Sequence, residues 1–175
     1  MAHTGGPARQ RGRILTIATL AVAASGVAAA LIVADQRVAG AVAALVSGSA
    51  LLLSGIRSAE TADAGSRFAD SLAERFVDAI VIGTLAWVAT PESPGVSAAA
   101  LTALVSSYIA SYLRTKALGL GFRVDEALWL RSARISFVAL GILGDSAPAL
   151  LVATAISLQA IIVRTAAVAR QKESR

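Results

Sequence analysis

The stretch "ILTIATLAVAASGVAAALIVA" at residues 14–34 decides the fold, because it continues for 21 residues without a charged side chain. A helix of about 20 apolar residues covers the roughly 30 Å hydrocarbon core of a bilayer. Five more apolar runs follow, at 38–56, 76–89, 96–113, 135–144 and 147–163. The third and fifth are too short to span, so we expect their helices to include residues from Ala69 and from Leu128 onward.

The composition agrees with a membrane protein. Of the 175 residues, 56% are hydrophobic and 15% are charged, and the mean hydropathy is +0.70, which is too apolar for an ordinary soluble domain. The absence of cysteine excludes a disulfide framework and a thiolate metal site. The sequence therefore predicts an all-α fold, an integral membrane bundle of six transmembrane helices. We expect one membrane domain, 1–175, with a tail at 1–13, the bundle at 14–163 and a basic tail at 164–175.

The basic residues predict the orientation of these spans. Fifteen of the 16 Lys and Arg residues fall in the two termini and in the segments after the second and fourth spans, and Arg37 is the exception. Because short cytoplasmic loops retain basic residues, both termini are predicted to be cytoplasmic in a multi-pass protein of the cell membrane. An alternative is that residues 1 to about 30 form a cleaved signal peptide. The net charge of +5 follows this topology, and we expect no nucleic acid partner.

A row of carboxylates stands out in "GSRFADSLAERFVDA" at 65–79. Asp70, Glu74 and Asp78 are four residues apart and share one side of a helix. Carboxylates at the mouth of a membrane span are costly unless they are paired, hydrated or bound to a cation, so the row is a candidate site. The alternative is a solvated amphipathic turn in which Arg67 and Arg75 are the partners.

Several of these stretches resemble one enzyme family. "ADSLAERFVDA" at 69–79 is similar to the start of the third helix of the CDP-alcohol phosphatidyltransferases, whose signature reads D-x-x-D-G-x-x-A-R, a gap, and G-x-x-x-D-x-x-x-D. Asp70 matches the third aspartate of that signature and Glu74 the fourth. "SYLRTKALGLG" at 111–121, "RSAR" at 131–134 and "ISLQAIIVRTAAVARQ" at 156–171 resemble later family segments. The likeness is to synthases of phosphatidylglycerophosphate and phosphatidylinositol phosphate, and it covers nearly the whole chain.

The resemblance implies a function and a set of site residues. Such enzymes of phospholipid biosynthesis transfer a phosphatidyl group from CDP-diacylglycerol to an alcohol, and two Mg²⁺ or Mn²⁺ ions held by carboxylates neutralise the phosphates. Asp70 and Glu74 would hold metal, with one acid as general base, and Asp78 is a further metal candidate. The expected substrate-binding residues are Gly55, Arg114, Lys116, Arg131 and Arg134. A homodimer is also implied.

The basic residues of this set have a second interpretation. Arg131 and Arg134 lie three residues apart on one helical side, with Arg114 and Lys116 a loop away, which suits an anion pocket. They are equally consistent with interfacial cations that contact lipid phosphates. The glycines of "GLGF" at 119–122 lack the strand-to-helix context of a nucleotide-binding loop.

The first half of the signature is altered in "LLLSGIRSAETADAG" at 51–65. If Gly55 is the first signature glycine, Leu51 and Ser54 replace the two preceding aspartates. Two carboxylates supply too little charge and too few oxygens for two hard cations. Glu60 and Asp63 have an acid-x-x-acid spacing and are candidate replacements; the alternative is that they are exposed loop charges.

Three functions therefore remain open. The first hypothesis is that the chain is a phosphatidyltransferase, with inositol phosphate, glycerol phosphate, serine or a simple polyol as acceptor. Alternatively, it is a catalytically degenerate relative that acts as a lipid-binding or partner subunit. The third hypothesis is an unrelated small transporter that uses the same carboxylates.

Overall fold

The computed structural model describes residues 7–61, 64–124, 128–144 and 146–173. These residues form six helices: α1 Pro7–Val33, α2 Arg37–Thr61, α3 Ala64–Ala89, α4 Pro94–Gly119, α5 Leu128–Gly144 and α6 Ala147–Glu173. The described residues contain no β-strand, so the all-α prediction is confirmed. α5 begins at Leu128, as predicted, whereas α3 begins five residues before Ala69.

Four of the helices are long and apolar enough to cross a membrane, which indicates a membrane protein. The candidate spans are Gln10–Val33, Arg37–Arg57, Pro94–Gly119 and Ala147–Lys172. α3 differs from them because Glu74, Arg75 and Asp78 lie near its middle, and α5 differs because it has only 17 residues. Six helices are confirmed, and six crossings stay a prediction.

The chain divides into two compact units, Met1–Thr84 and Leu85–Arg175. In the first unit α1 packs against α2. The buried residues of α1 alternate in steps of four and three along one stripe: Ile14, Ala18, Ala21, Ser25, Ala28 and Ile32. Most are small, which lets membrane helices approach closely. Gly40 of α2 shows this approach, because a Cβ atom there would lie 3.0 Å from Cγ1 of Ile32.

In the second unit α6 packs against both α4 and α5. The buried face of α4 consists mainly of alanine and serine, and the buried residues of α6 are Leu150, Ala153, Thr154, Ser157 and Ala160. A Cβ atom at Gly141 of α5 would lie 2.8 Å from Cδ2 of Leu150, so glycine is what permits this contact. The single-domain prediction, which concerns how the two units combine, stays a prediction.

The α4 helix ends at a glycine that reverses the chain. Gly121 has a φ of 79°, its N–H donates to the carbonyl of Leu118 (3.0 Å), and the N–H of Phe122 donates to the carbonyl of Ala117 (3.0 Å). This is a Schellman motif, in which glycine takes the left-handed position without a Cβ penalty. The second glycine of "GLG" at 119–121 is thus a helix terminator.

Two contacts show that α4 and α6 run in the same direction. Nη1 of Arg164 in α6 donates to the carbonyl oxygen of Ala110 in α4 (2.6 Å). Further along α6, the Gln171 amide pairs with the backbone of Arg123, four residues after the end of α4: Oε1 accepts from the N–H (2.9 Å) and Nε2 donates to the carbonyl (2.7 Å). Because both contacts advance toward the C-terminal ends, α4 and α6 are parallel neighbours.

Candidate functional site

The first half of α3 has two chemically different faces. Asp70 and Asp78 are buried, with 5% and 7% exposure, and Glu74 between them is half-buried. Three large apolar side chains with the same four-residue spacing, Phe68, Leu72 and Phe76, are exposed. At 100° per residue these two rows lie on opposite sides of the helix. The carboxylates therefore face protein, and the apolar row is free to face acyl chains.

Arg75 is the cation within the carboxylate row. Its Nη2 atom lies 2.9 Å from Oε1 of Glu74 and 3.4 Å from Oδ2 of Asp78, and all three side chains are at most 15% exposed. Of the two partners predicted for a paired turn, Arg75 is thus confirmed, and Arg67 is exposed. The prediction that this turn is exposed to solvent is wrong, because the carboxylate row is largely buried. Glu74, a metal ligand according to the resemblance, thus carries a salt bridge.

The two α2 positions that the resemblance aligns with aspartates are buried. Leu51 is 2% exposed and Ser54 is fully buried, and Gly55 beside them is buried too. The Ser54 Oγ atom makes no hydrogen bond with any residue that the structure describes. Ser66, four residues before Asp70, is fully buried at the start of α3. All of these positions are thus buried, and none of them carries a carboxylate.

The predicted metal set is not gathered in the described part of the chain. Among the described side chains, no three Asp, Glu or His residues come together as a metal site would require. The predicted set was Asp70, Glu74, Asp78, Glu60 and Asp63. The Glu60 side chain and Asp63 lie outside the described residues, so their proposed replacement of the lost aspartates stays a prediction.

The predicted anion-binding residues lie in the second unit and differ in exposure. Arg131 and Arg134 are buried on α5, with 7% and 8% exposure. On α4, Arg114 is half-buried and Lys116 is exposed. A guanidinium group offers paired N–H donors that match phosphate oxygens. The two α5 arginines therefore have the strongest chemistry for an anion, and Lys116 faces outward.

Two polar contacts in the second unit were not predicted from sequence. Arg164 and Gln171 were recognised only as part of a basic tail, yet each holds a backbone group of a segment about 50 positions earlier. The sequence carried a weak signal for Arg164, since an arginine directly after an apolar run has to find a partner or reach the interface. Gln171 gave no comparable signal.

Comparisons of the chain with protein-family models, with curated protein sequences and with solved structures find no match. The chemistry of these residues and the likeness of their motifs therefore carry the functional proposal.

Proposed function

We propose that this chain is a multi-pass membrane protein of the CDP-alcohol phosphatidyltransferase type that binds a phosphate-bearing lipid head group and does not transfer it. The observation that carries the proposal is the state of the metal-ligand positions. Leu51 and Ser54 are buried without a carboxylate, and Glu74 forms a salt bridge to Arg75. The likeness of residues 69–79, 111–121 and 131–134 to the family supplies the lipid class.

Charge accounting supports the loss of transfer activity. Two divalent cations carry four positive charges, and Mg²⁺ requires near-octahedral oxygen coordination. Asp70, Glu74 and Asp78 supply three negative charges between them, and Nη2 of Arg75 lies 2.9 Å from Glu74 and 3.4 Å from Asp78. A second cation in such a site is repelled by the guanidinium and lacks ligands. Without paired cations, the charge that develops on the pyrophosphate during transfer is not neutralised.

The buried arginines of α5 support the binding of phosphate. A guanidinium group presents paired N–H donors whose geometry matches the oxygen acceptors of a phosphate. Arg131 and Arg134 are spaced so that both reach the same side of α5, and Arg114 of α4 adds a half-buried cation. CDP-diacylglycerol is the first candidate ligand, because the resembling family uses it.

The proposal includes six crossings, and the direction of α4 and α6 supports them. Two parallel spans require the chain to return across the bilayer between them, and α5 is the described helix available for this return. At 17 residues α5 is about 25 Å long, and bilayers thin to accommodate short spans. In α3, the Arg75 ion pairs lower the cost of burying charge, and Trp87 near its end is 72% exposed, as in an interfacial aromatic belt.

The remaining parts of the proposal follow from the basic residues and from the resemblance. The location of the basic residues supports two cytoplasmic termini. The family resemblance supports a homodimer in the cell membrane.

A metal titration of the purified full chain tests the proposal. We expect wild-type protein to bind no tight pair of Mn²⁺ ions by isothermal titration calorimetry. The variant Leu51→Asp/Ser54→Asp restores four acids and is expected to gain Mn²⁺ affinity, whereas the uncharged control Leu51→Asn/Ser54→Asn is not. Tight binding of two Mn²⁺ ions by wild-type protein, abolished by Asp70→Asn, would refute the proposal.

That contrary result would favour the second candidate, an active phosphatidyltransferase. The observation in its favour is the alignment of buried Asp70 and Asp78 with Glu74 on one protein-facing side of α3. Wild-type release of CMP from CDP-diacylglycerol in the presence of an alcohol and Mg²⁺ would then be expected.

A further inference from the structure

A set of exposed basic side chains lies at one end of the second unit. Because α4 and α6 are parallel and Gln171 pairs with the backbone of Arg123, the last turns of both helices and the segment after α4 meet at this end. We define the basic rim as the four exposed cations of these segments: Lys116, Arg123, Arg170 and Lys172.

The local charge is strongly positive. Residues 114–134 and 164–175 together contain nine Lys or Arg residues and three acidic residues, Asp125, Glu126 and Glu173. Glu92 is the acidic residue whose side chain the structure describes in the second unit. It lies before α4, at the end of that helix opposite to the basic rim. The unit is therefore polarised along its helices, with the excess of positive charge at the C-terminal ends.

Helix length places the rim at the depth of lipid head groups. α4 has 26 residues and α6 has 27, so each is about 40 Å long, against roughly 30 Å of hydrocarbon. When the apolar part of each helix fills the hydrocarbon, about two turns project beyond it. The C-terminal turns that project carry Lys116, Arg170 and Lys172.

We propose that the basic rim binds the anionic head groups of phospholipids in the surrounding leaflet. Clusters of four or more basic residues directly beside membrane spans attract anionic lipids. The Gln171–Arg123 pairing contributes by fixing the segment after α4 against α6, so the four cations are presented together. This surface is separate from buried Arg131 and Arg134, and the inference does not depend on the proposed function.

The test uses purified full chain in neutral detergent micelles and native mass spectrometry with dioctanoyl phosphatidylglycerol or dioctanoyl phosphatidylcholine. We expect at least a tenfold preference for phosphatidylglycerol, falling about fivefold for each rim charge removed. The variant Lys116→Gln/Arg123→Gln/Arg170→Gln/Lys172→Gln should lose the preference. A charge-conserving control, Lys116→Arg/Arg123→Lys/Arg170→Lys/Lys172→Arg, should keep it.

Three results would overturn the inference. The first is equal binding of the two lipids by wild-type protein. The second is retention of the preference after all four rim charges have been neutralised. The third is displacement of phosphatidylglycerol by submillimolar inorganic phosphate, which would make the ligand a soluble anion. A salt titration of wild-type protein avoids any folding defect: the preference should vanish near 1 M NaCl, where charges are screened within about 3 Å, and its persistence there would also overturn the inference.

Discussion

Nη2 of Arg75 lies 2.9 Å from Oε1 of Glu74, the residue that precedes it in α3. The same nitrogen lies 3.4 Å from Oδ2 of Asp78 one turn later. One cation is thus shared between two carboxylates of a nearly buried row. This arrangement stabilises the acidic side chains of a largely buried row, and it gives the row a structural role of its own.

Removal of this cation should destabilise the protein. In Arg75→Gln, Glu74 and Asp78 keep their burial and lose the guanidinium, and breaking a buried ion pair from one side typically costs a few kcal/mol. Because the side chains of Arg75, Glu74 and Asp78 are 9–15% exposed, we expect the free energy of unfolding to fall by about 2–3 kcal/mol. Thermal or denaturant unfolding in detergent measures it.

The matched control is Arg67→Gln, which removes an exposed arginine from the same helix. Exposed ion pairs contribute at most about 1 kcal/mol, so this variant should unfold close to wild type. If Arg67→Gln and Arg75→Gln lowered the free energy of unfolding equally, the salt bridge between Arg75 and Glu74 would not be what stabilises the protein.

Much of the fold was predictable from hydrophobic periodicity and charge. The start of α5 at Leu128 follows from the length that a span needs, and the pairing of Arg75 with neighbouring carboxylates follows from their spacing. The start of α3 was placed too late, because the polar turns before Ala69 have no apolar period, yet they continue the helix from Ala64. Helical hydrogen bonds within the backbone do not require an apolar face.

The contacts between distant segments were not predictable. Ser47 Oγ donates to the carbonyl of Ala21 at 2.7 Å, and Gln171 pairs with Arg123 across 48 positions. A serine or glutamine in a helix has several local partners of similar energy, so sequence alone does not select a distant one. Packing selects it, since the carbonyl or peptide group must first be brought within reach.

Close packing of α5 on α6 predicts a penalty for adding one methyl group. In Gly141→Ala the new Cβ would lie 2.8 Å from Cδ2 and 2.9 Å from Cγ of Leu150, which is fully buried. Overpacking of this kind costs about 1–3 kcal/mol, and unfolding in detergent measures it. Gly26→Ala in α1, where nothing lies within 4 Å of the Cβ position, is the control and should be neutral or stabilising by up to about 1 kcal/mol.

Six crossings predict which sites react with a thiol reagent from each side of the membrane. The chain has no cysteine, so a single introduced cysteine reports only the side of the membrane on which its own position lies. Four exposed positions suit this test: Gln36, Glu92, Lys116 and Lys172. In intact cells an impermeant maleimide should label Gln36→Cys and Glu92→Cys. Lys116→Cys and Lys172→Cys should react only after permeabilisation.

A protein in which α3 and α5 do not cross gives a different pattern. Glu92→Cys would then react with the cytoplasmic set and Lys116→Cys with the external set. That pattern would also make α4 and α6 antiparallel, contrary to the Arg164–Ala110 and Gln171–Arg123 contacts.

Equilibrium binding of CDP-diacylglycerol to the purified full chain, with EDTA or with Mg²⁺, tests the central claim most directly. Binding by buried arginines without paired metal predicts the same affinity within about twofold in both conditions. It also predicts at least tenfold weaker binding for Arg131→Gln/Arg134→Gln, as expected when a charge-assisted hydrogen bond worth about 1.5–3 kcal/mol is lost. Binding that appears only with Mg²⁺, or binding unaffected by loss of both arginines, would contradict the claim.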